Sequence, residues 1–290
     1  MNNRFFVVCL TLSLAIPLSP LVAQPIETLL QQGYDAQSQA NYRDAERVSR
    51  QIIERDPRNL EAYSLLANAF YSQGKFSDAI AAYRSASQID PKNPNIYYDL
   101  GILFAEQGDF TAAIAHYQKA LAINPKFTDA HYNLGLAQYA QGDIKAGMVS
   151  FQQAIQSDPQ EVDAYIWLGK GYQHQKQTNQ AINTWKKAIQ IDPQSTYAYN
   201  SLGEVFAKQK KYREAIAYYR QALAVPDQFG IPVSAHTLAH NGLGYVLQQQ
   251  GQLEQAIREY QAALDIEPNF TPAQTNLAKA QALRNARQQS

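Results

Sequence analysis

At 290 residues the chain is long enough for one or two compact domains, and its 25 basic and 25 acidic residues cancel. That balance gives no ground for a polyanionic partner, so nucleic acid is not expected. A single cysteine excludes an internal disulfide framework, while sparse, periodic glycines and prolines suit helices joined by short turns.

The first element is a leader. "MNNR" supplies a short positive start, "FFVVCLTLSLAIPL" an apolar run, and "SPLVA" a small-residue edge ending at Ala23. Residues 1–23 therefore read as a secretory signal peptide cut after Ala23, which sends the chain to the periplasm or an equivalent extracytoplasmic space. The alternative is an uncleaved anchor holding the protein on a plasma or thylakoid membrane, although Pro17 and Pro20 weaken a spanning helix. Cys9 lies too early in the apolar run for a lipoprotein site, and cleavage would remove it.

From residue 24 to 290 the sequence reads as one repetitive domain. Pro57, Pro91, Pro125, Pro159 and Pro193 each follow the last by 34 residues, the signature of stacked supersecondary units. In register these are 26–59, 60–93, 94–127, 128–161, 162–195 and 196–229, with a seventh at 237–270. Each unit holds two blocks of apolar residues at helical spacing, here named helix A and helix B, around a Gly-containing turn. A small residue at position eight (Gly101, Gly135, Gly169, Gly203, Gly244) and another at position twenty (Ala113, Ala181, Ala215, Ala256) permit close helix approach. A large residue at position 24 (Tyr117, Phe151, Trp185, Tyr219, Tyr260) fills the space beside them. The proline stops helix B because it has no N–H to donate and clashes with the preceding turn. Residues 230–236 interrupt the count. Gly230 and Pro232 bar a continuous helix, so the segment reads as a connector, with "VSAHTLAH" able to extend the next helix backwards. Residues 271–287 form one further amphipathic helix with a polar outer face, a solvating cap for the stack.

"YYDLGILF", "YIWLGKGY" and "AYNSLGEVF", followed in each unit by Ala, an aromatic, Ala and Pro, resemble the tetratricopeptide repeat. The resemblance covers nearly everything from Ile26 onward. Its weakest unit is the first, where Ser49 stands for the aromatic and Ile52 for the alanine. It implies an all-α, right-handed superhelical solenoid of seven helix-turn-helix repeats with a C-terminal capping helix.

No catalytic or cofactor motif is present: there is no Walker A, no HExxH and no GxSxG, and an enzyme is not expected. His236 and His240 share a helical face but lack a third ligand nearby, so no metal site is assigned. Glu27, Glu61, Asp129 and Asp163 recur at position two and read as first-turn acids favoured by the helix dipole. What remains is a recognition surface. The resemblance implies a concave groove lined by helix A at positions two, five, six, nine and twelve. Carried onto this chain, it is lined by Tyr34, Asn68, Tyr71, Tyr98, Tyr132, Asn133, Tyr139, Trp167, Lys170, Gln173, Asn200 and Tyr245. Rigid aromatics among amides suit a protein or peptide partner. Lys170 is the only basic residue at these positions, so the family's carboxylate clamp is missing and an acidic tail is not the expected ligand. The implied function is a non-enzymatic scaffold or adaptor acting as an assembly factor. The alternatives are a glycan-binding module, since the same side chains suit sugar rings, and an accessory subunit of an envelope or photosynthetic-membrane enzyme complex.

Overall fold

The computed structural model describes residues 24–227 and 233–289. The expected leader, residues 1–23, and the start of the connector, residues 230–232, lie outside the described residues, which contain fifteen α-helices and no strand. The chain divides into two compact units, one ending at Ile89 and one beginning at Asp90.

The first unit holds α1 (Ile26–Ser38), α2 (Tyr42–Arg55), α3 (Leu60–Ser72) and α4 (Phe76–Ile89), each packed on the next, with α1 also meeting α3. The second holds α5 (Pro94–Glu106), α6 (Phe110–Ile123), α7 (Thr128–Ala140), α8 (Ile144–Ser157), α9 (Val162–His174) and α10 (Thr178–Ile191). It continues with α11 (Thr196–Lys208), α12 (Tyr212–Ala224), α13 (Ala235–Gln249), α14 (Leu253–Ile266) and α15 (Thr271–Gln289). Odd-numbered helices up to α13 are the A helices and even-numbered ones the B helices. In the second unit each helix packs on its successor, and A helices also meet directly, as α5 meets α7 and α11 meets α13.

Local chemistry sets the helix boundaries. Asp109 and Asp143 accept the amides of Ala112 and Ala146, both at 3.0 Å, and so satisfy an orphan donor at the start of α6 and α8. Between A and B, one residue per turn takes a positive φ: Gly74, Gly108, Gly142 and Gly251, but also Ala40 (56°), Lys176 (61°) and Lys210 (60°). The turn forms without glycine because its backbone bonds survive, as where Lys211 N donates to Phe206 O at 2.9 Å. Proline is only half of the stop signal for helix B. The Asp or Asn before it accepts the amide two residues on, at 2.8–3.2 Å in Asp56, Asp90, Asn124, Asp158 and Asp192.

The recurring small and large residues meet as ring on glycine. A Cβ added at Gly101, Gly135, Gly169 or Gly203 would fall 2.3–2.7 Å from the ring of Tyr117, Phe151, Trp185 or Tyr219. Those rings are buried, Phe151 and Trp185 completely. In the first repeat, with Ser49 in the ring position, Leu65 of α3 takes the space over Gly33 instead.

The connector is held where it is described. Ser234 caps α13 by accepting from Thr237 N (3.3 Å), so the helix begins at Ala235, two residues ahead of the repeat frame. Asp227 accepts from Ser234 Oγ (2.6 Å) and His236 N (2.9 Å), and Ser234 N donates to Glu267 (2.6 Å). His236 Nε2 contacts Val225 O at 2.9 Å, whereas His240 Nδ1 pairs with Glu259 at 2.7 Å. The two histidines are thus engaged with different partners.

Candidate binding groove

The residues predicted to line the groove fall on the A helices of both units. In the first, Tyr34 of α1 is 44% exposed, Asn68 of α3 accepts from Tyr83 OH (2.6 Å), and Tyr71 sets its ring edge 6.0 Å from Phe76. In the second unit, six of the predicted residues are brought together. Tyr98 of α5 lies tilted against Phe127 (4.9 Å) and Tyr117 (6.0 Å), and its hydroxyl accepts from Asn133 of α7 at 3.1 Å. Tyr132 leans on buried Phe151 at 6.0 Å, and Trp167 of α9 stacks on the same ring at 6.2 Å. Tyr139 meets Trp167 edge-on at 5.3 Å, and Lys170 places its ammonium 4.2 Å from the Trp167 ring centre. One run of partly buried aromatics therefore crosses α5, α7 and α9, each ring braced by core residues and still offering surface.

The other predictions fare differently. Gln173 is half-buried, with its amide nitrogen lacking a partner. Asn200 is 7% exposed and donates to Ala235 O at 2.7 Å, which ties α11 to α13 and leaves it almost no surface to offer. Tyr245 of α13 is 45% exposed and belongs to no core cluster among the described residues.

Carboxylates sit among the rings. Burial, then Asp129 and Asp99, push the Tyr98 hydroxyl up to about 12, with the Asn133 amide opposing. Burial, then Asp163 and Glu161, raise Tyr132, while the Trp167 side chain pulls the other way. Asp163 is itself raised, by desolvation first, with Lys170 opposing and Asp192 adding; its side chain remains exposed, so that desolvation is partial. Desolvation and the nearby Asp163 raise Glu161. Lys170 is lowered by desolvation, with Glu204 and Asp163 opposing. Asp163 stands in the first turn of α9, where the helix dipole favours an acid, but burial and Asp192 work against its charge. The position-two acids fall on the groove face by count, but reading each as a dipole-favoured acid leaves them out of its surface. A count of charge by helix, rather than by chain, would have exposed them.

A family model for the TPR repeat matches residues 67–108, 103–142, 172–210 and 244–283. Two further tetratricopeptide-repeat models match 196–225 and 129–161. The chain belongs to the tetratricopeptide-repeat family. Among curated proteins none matches the sequence. Solved structures do. MamA is 28% identical over 55% of this chain and 93% of its own, with a TM-score of 0.52. PilW, a widely conserved type IV pilus biogenesis factor, is 20% identical over 70% of this chain and 94% of its own, with a TM-score of 0.59. YrrB, a TPR protein with an unusual peptide-binding site, is 20% identical over 64% of this chain and 92% of its own, with a TM-score of 0.51. At these identities PilW and YrrB share the fold of this tetratricopeptide-repeat protein. Tetratricopeptide-repeat proteins mediate protein–protein interaction, and no described helix of this one is long and apolar enough to cross a membrane.

Proposed function

We propose that this protein is a non-enzymatic scaffold that holds a protein or peptide against the A-helix face of its second unit and serves as an assembly factor outside the cytoplasm. One observation carries the reading: the half-buried rings of Tyr132, Trp167 and Tyr139 cluster around Phe151 on α7 and α9, and Tyr98 of α5 reaches the same α7 through its hydrogen bond from Asn133. Aromatic residues held this way offer large contact area with little side-chain entropy left to lose. PilW, a biogenesis factor, and YrrB, with a peptide-binding site, use the same fold, which makes both parts of the reading reasonable. The leader at residues 1–23 supports export.

The test is a peptide-library screen of the full chain beside its Tyr98→Ala/Tyr132→Ala double variant. Peptides that bind the parent and lose the variant, at unchanged helicity, support the reading. Equal binding by a folded double variant rejects this face. The N-terminal mass of protein recovered from the periplasm of an expression host tests export separately.

A further inference from the structure

The chain's neutral total conceals a segregation of charge. Helices α5, α7, α9 and α11 together carry five carboxylates (Asp99, Glu106, Asp129, Asp163, Glu204) against Lys170 and Lys208. Their B partners α6, α8, α10 and α12 carry six basic residues against one acid, Glu214. Glu161, the residue before α9, adds to the acidic side. Among the described residues Asp129, Glu161 and Asp163 take part in no ion pair. Glu204 pairs with Lys208, and Lys170 is the basic residue that lies in the field of Asp163.

The contact made by Lys170 shows what such a face accepts. Its ammonium rests on the Trp167 ring at 4.2 Å, in the field of Asp163 and Glu204. An aromatic face beside a carboxylate is a favourable seat for a cation, through the ring quadrupole and Coulomb attraction together. In the two preceding repeats the position of Lys170 is taken by Ile102 and Leu136. Asn133 donates both to the Tyr98 hydroxyl (3.1 Å) and to the Asp129 carbonyl (3.0 Å), which brings the start of α7 beside that ring. Tyr132 and Asp163 hold the same two repeat positions one unit on, and neither unit carries a cation at position nine.

We infer that the occupant of this face is a basic segment of a partner protein, an extended stretch whose Lys or Arg side chains seat on Tyr98 and Tyr132 beside Asp129 and Asp163. The inference rests on the scaffold reading above and specifies its ligand. The ligand's cations offset acids gathered on successive A helices without ion-pair partners among the described residues, and the resident Lys170 marks the end of the acidic track. An acidic or neutral segment gains neither term and meets repulsion from the carboxylates.

Three fluorescent peptides of equal length test this by anisotropy with the full chain. One alternates lysine with alanine, one glutamine with alanine, and one glutamate with alanine. The lysine peptide is expected to bind about tenfold or more tightly than the glutamine one, which corresponds to about 1.4 kcal/mol. The preference should weaken at high salt. Asp129→Asn/Asp163→Asn is expected to erase it, and Lys170→Met, which removes the competing resident cation, to strengthen lysine-peptide binding. Equal affinity for the three peptides, or a lysine preference untouched by Asp129→Asn/Asp163→Asn in a folded protein, overturns the inference. Failure of the charge preference while library peptides still depend on Tyr98 and Tyr132 leaves the groove reading intact. Loss of that dependence as well rejects both.

Discussion

Gly169→Ala separates the packing role of the position-eight glycine from its helix propensity. On propensity alone, alanine in the middle of α9 should stabilise by about 1 kcal/mol. The structure opposes that gain. A Cβ at 169 falls 2.3 Å from Trp185 Nε1, 2.6 Å from Cε2 and 2.7 Å from Cδ1, where comfortable contact needs about 3.5–4.0 Å. Trp185 is 0% exposed and cannot swing into solvent. Moving it also stretches the 3.1 Å bond from its indole N–H to Ile166 O. Overpacking of this kind costs about 1–3 kcal/mol and a weakened neutral hydrogen bond about 0.5–1.5 kcal/mol. Set against the propensity gain, the net expectation is a destabilisation of about 0.5–3.5 kcal/mol. Urea unfolding followed by circular dichroism measures it, and the double variant Gly169→Ala/Trp185→Leu supplies the control. Its total cost should be smaller than the sum of the two single costs by about 1 kcal/mol or more, because leucine vacates the overlapped space. Stabilisation of the single variant by the full propensity increment, or strict additivity in the cycle, would refute the ring-on-glycine explanation of the repeat.

Lys176→Gly and Lys210→Gly should each stabilise by about 0.5–1 kcal/mol, since relief of about 1–2 kcal/mol of left-handed strain exceeds the added unfolded-state entropy of glycine; the shift in denaturation midpoint checks it. Ser234→Ala removes the cap of α13 and one of the two donors to Asp227, and should lower stability by about 1–2 kcal/mol in the same assay. Asp163→Asn should raise the thermal midpoint at neutral pH while weakening lysine-peptide binding. Its carboxyl is raised in the folded protein, so ionisation opposes folding at and above that raised value. The advantage of the variant should therefore shrink as pH falls through the raised value toward the ordinary carboxylate one. A gap that is independent of pH would contradict the assignment.

Much of this protein was determined by its sequence alone. The 34-residue period set out pairs of helices because its small residues, rings and prolines act within one unit, and such local rules can be read without coordinates. The tetratricopeptide resemblance followed from the same residues, and with it the placement of Tyr98, Tyr132, Tyr139 and Trp167 on one helical face. Tertiary structure decided what those residues touch. Asn200 carries a groove position by count, yet the early start of α13 places Ala235 O within 2.7 Å of its amide and buries it. Lys176 and Lys210 sit where glycine is expected because the bonds closing the turn outweigh the strain. A neutral composition also masked an excess of acids on α5, α7, α9 and α11 and of bases on α6, α8, α10 and α12. Net charge is a sum over the chain, whereas a partner meets one face at a time; the repeat frame assigns each charge to a helix, and the packing decides which rings it lies among.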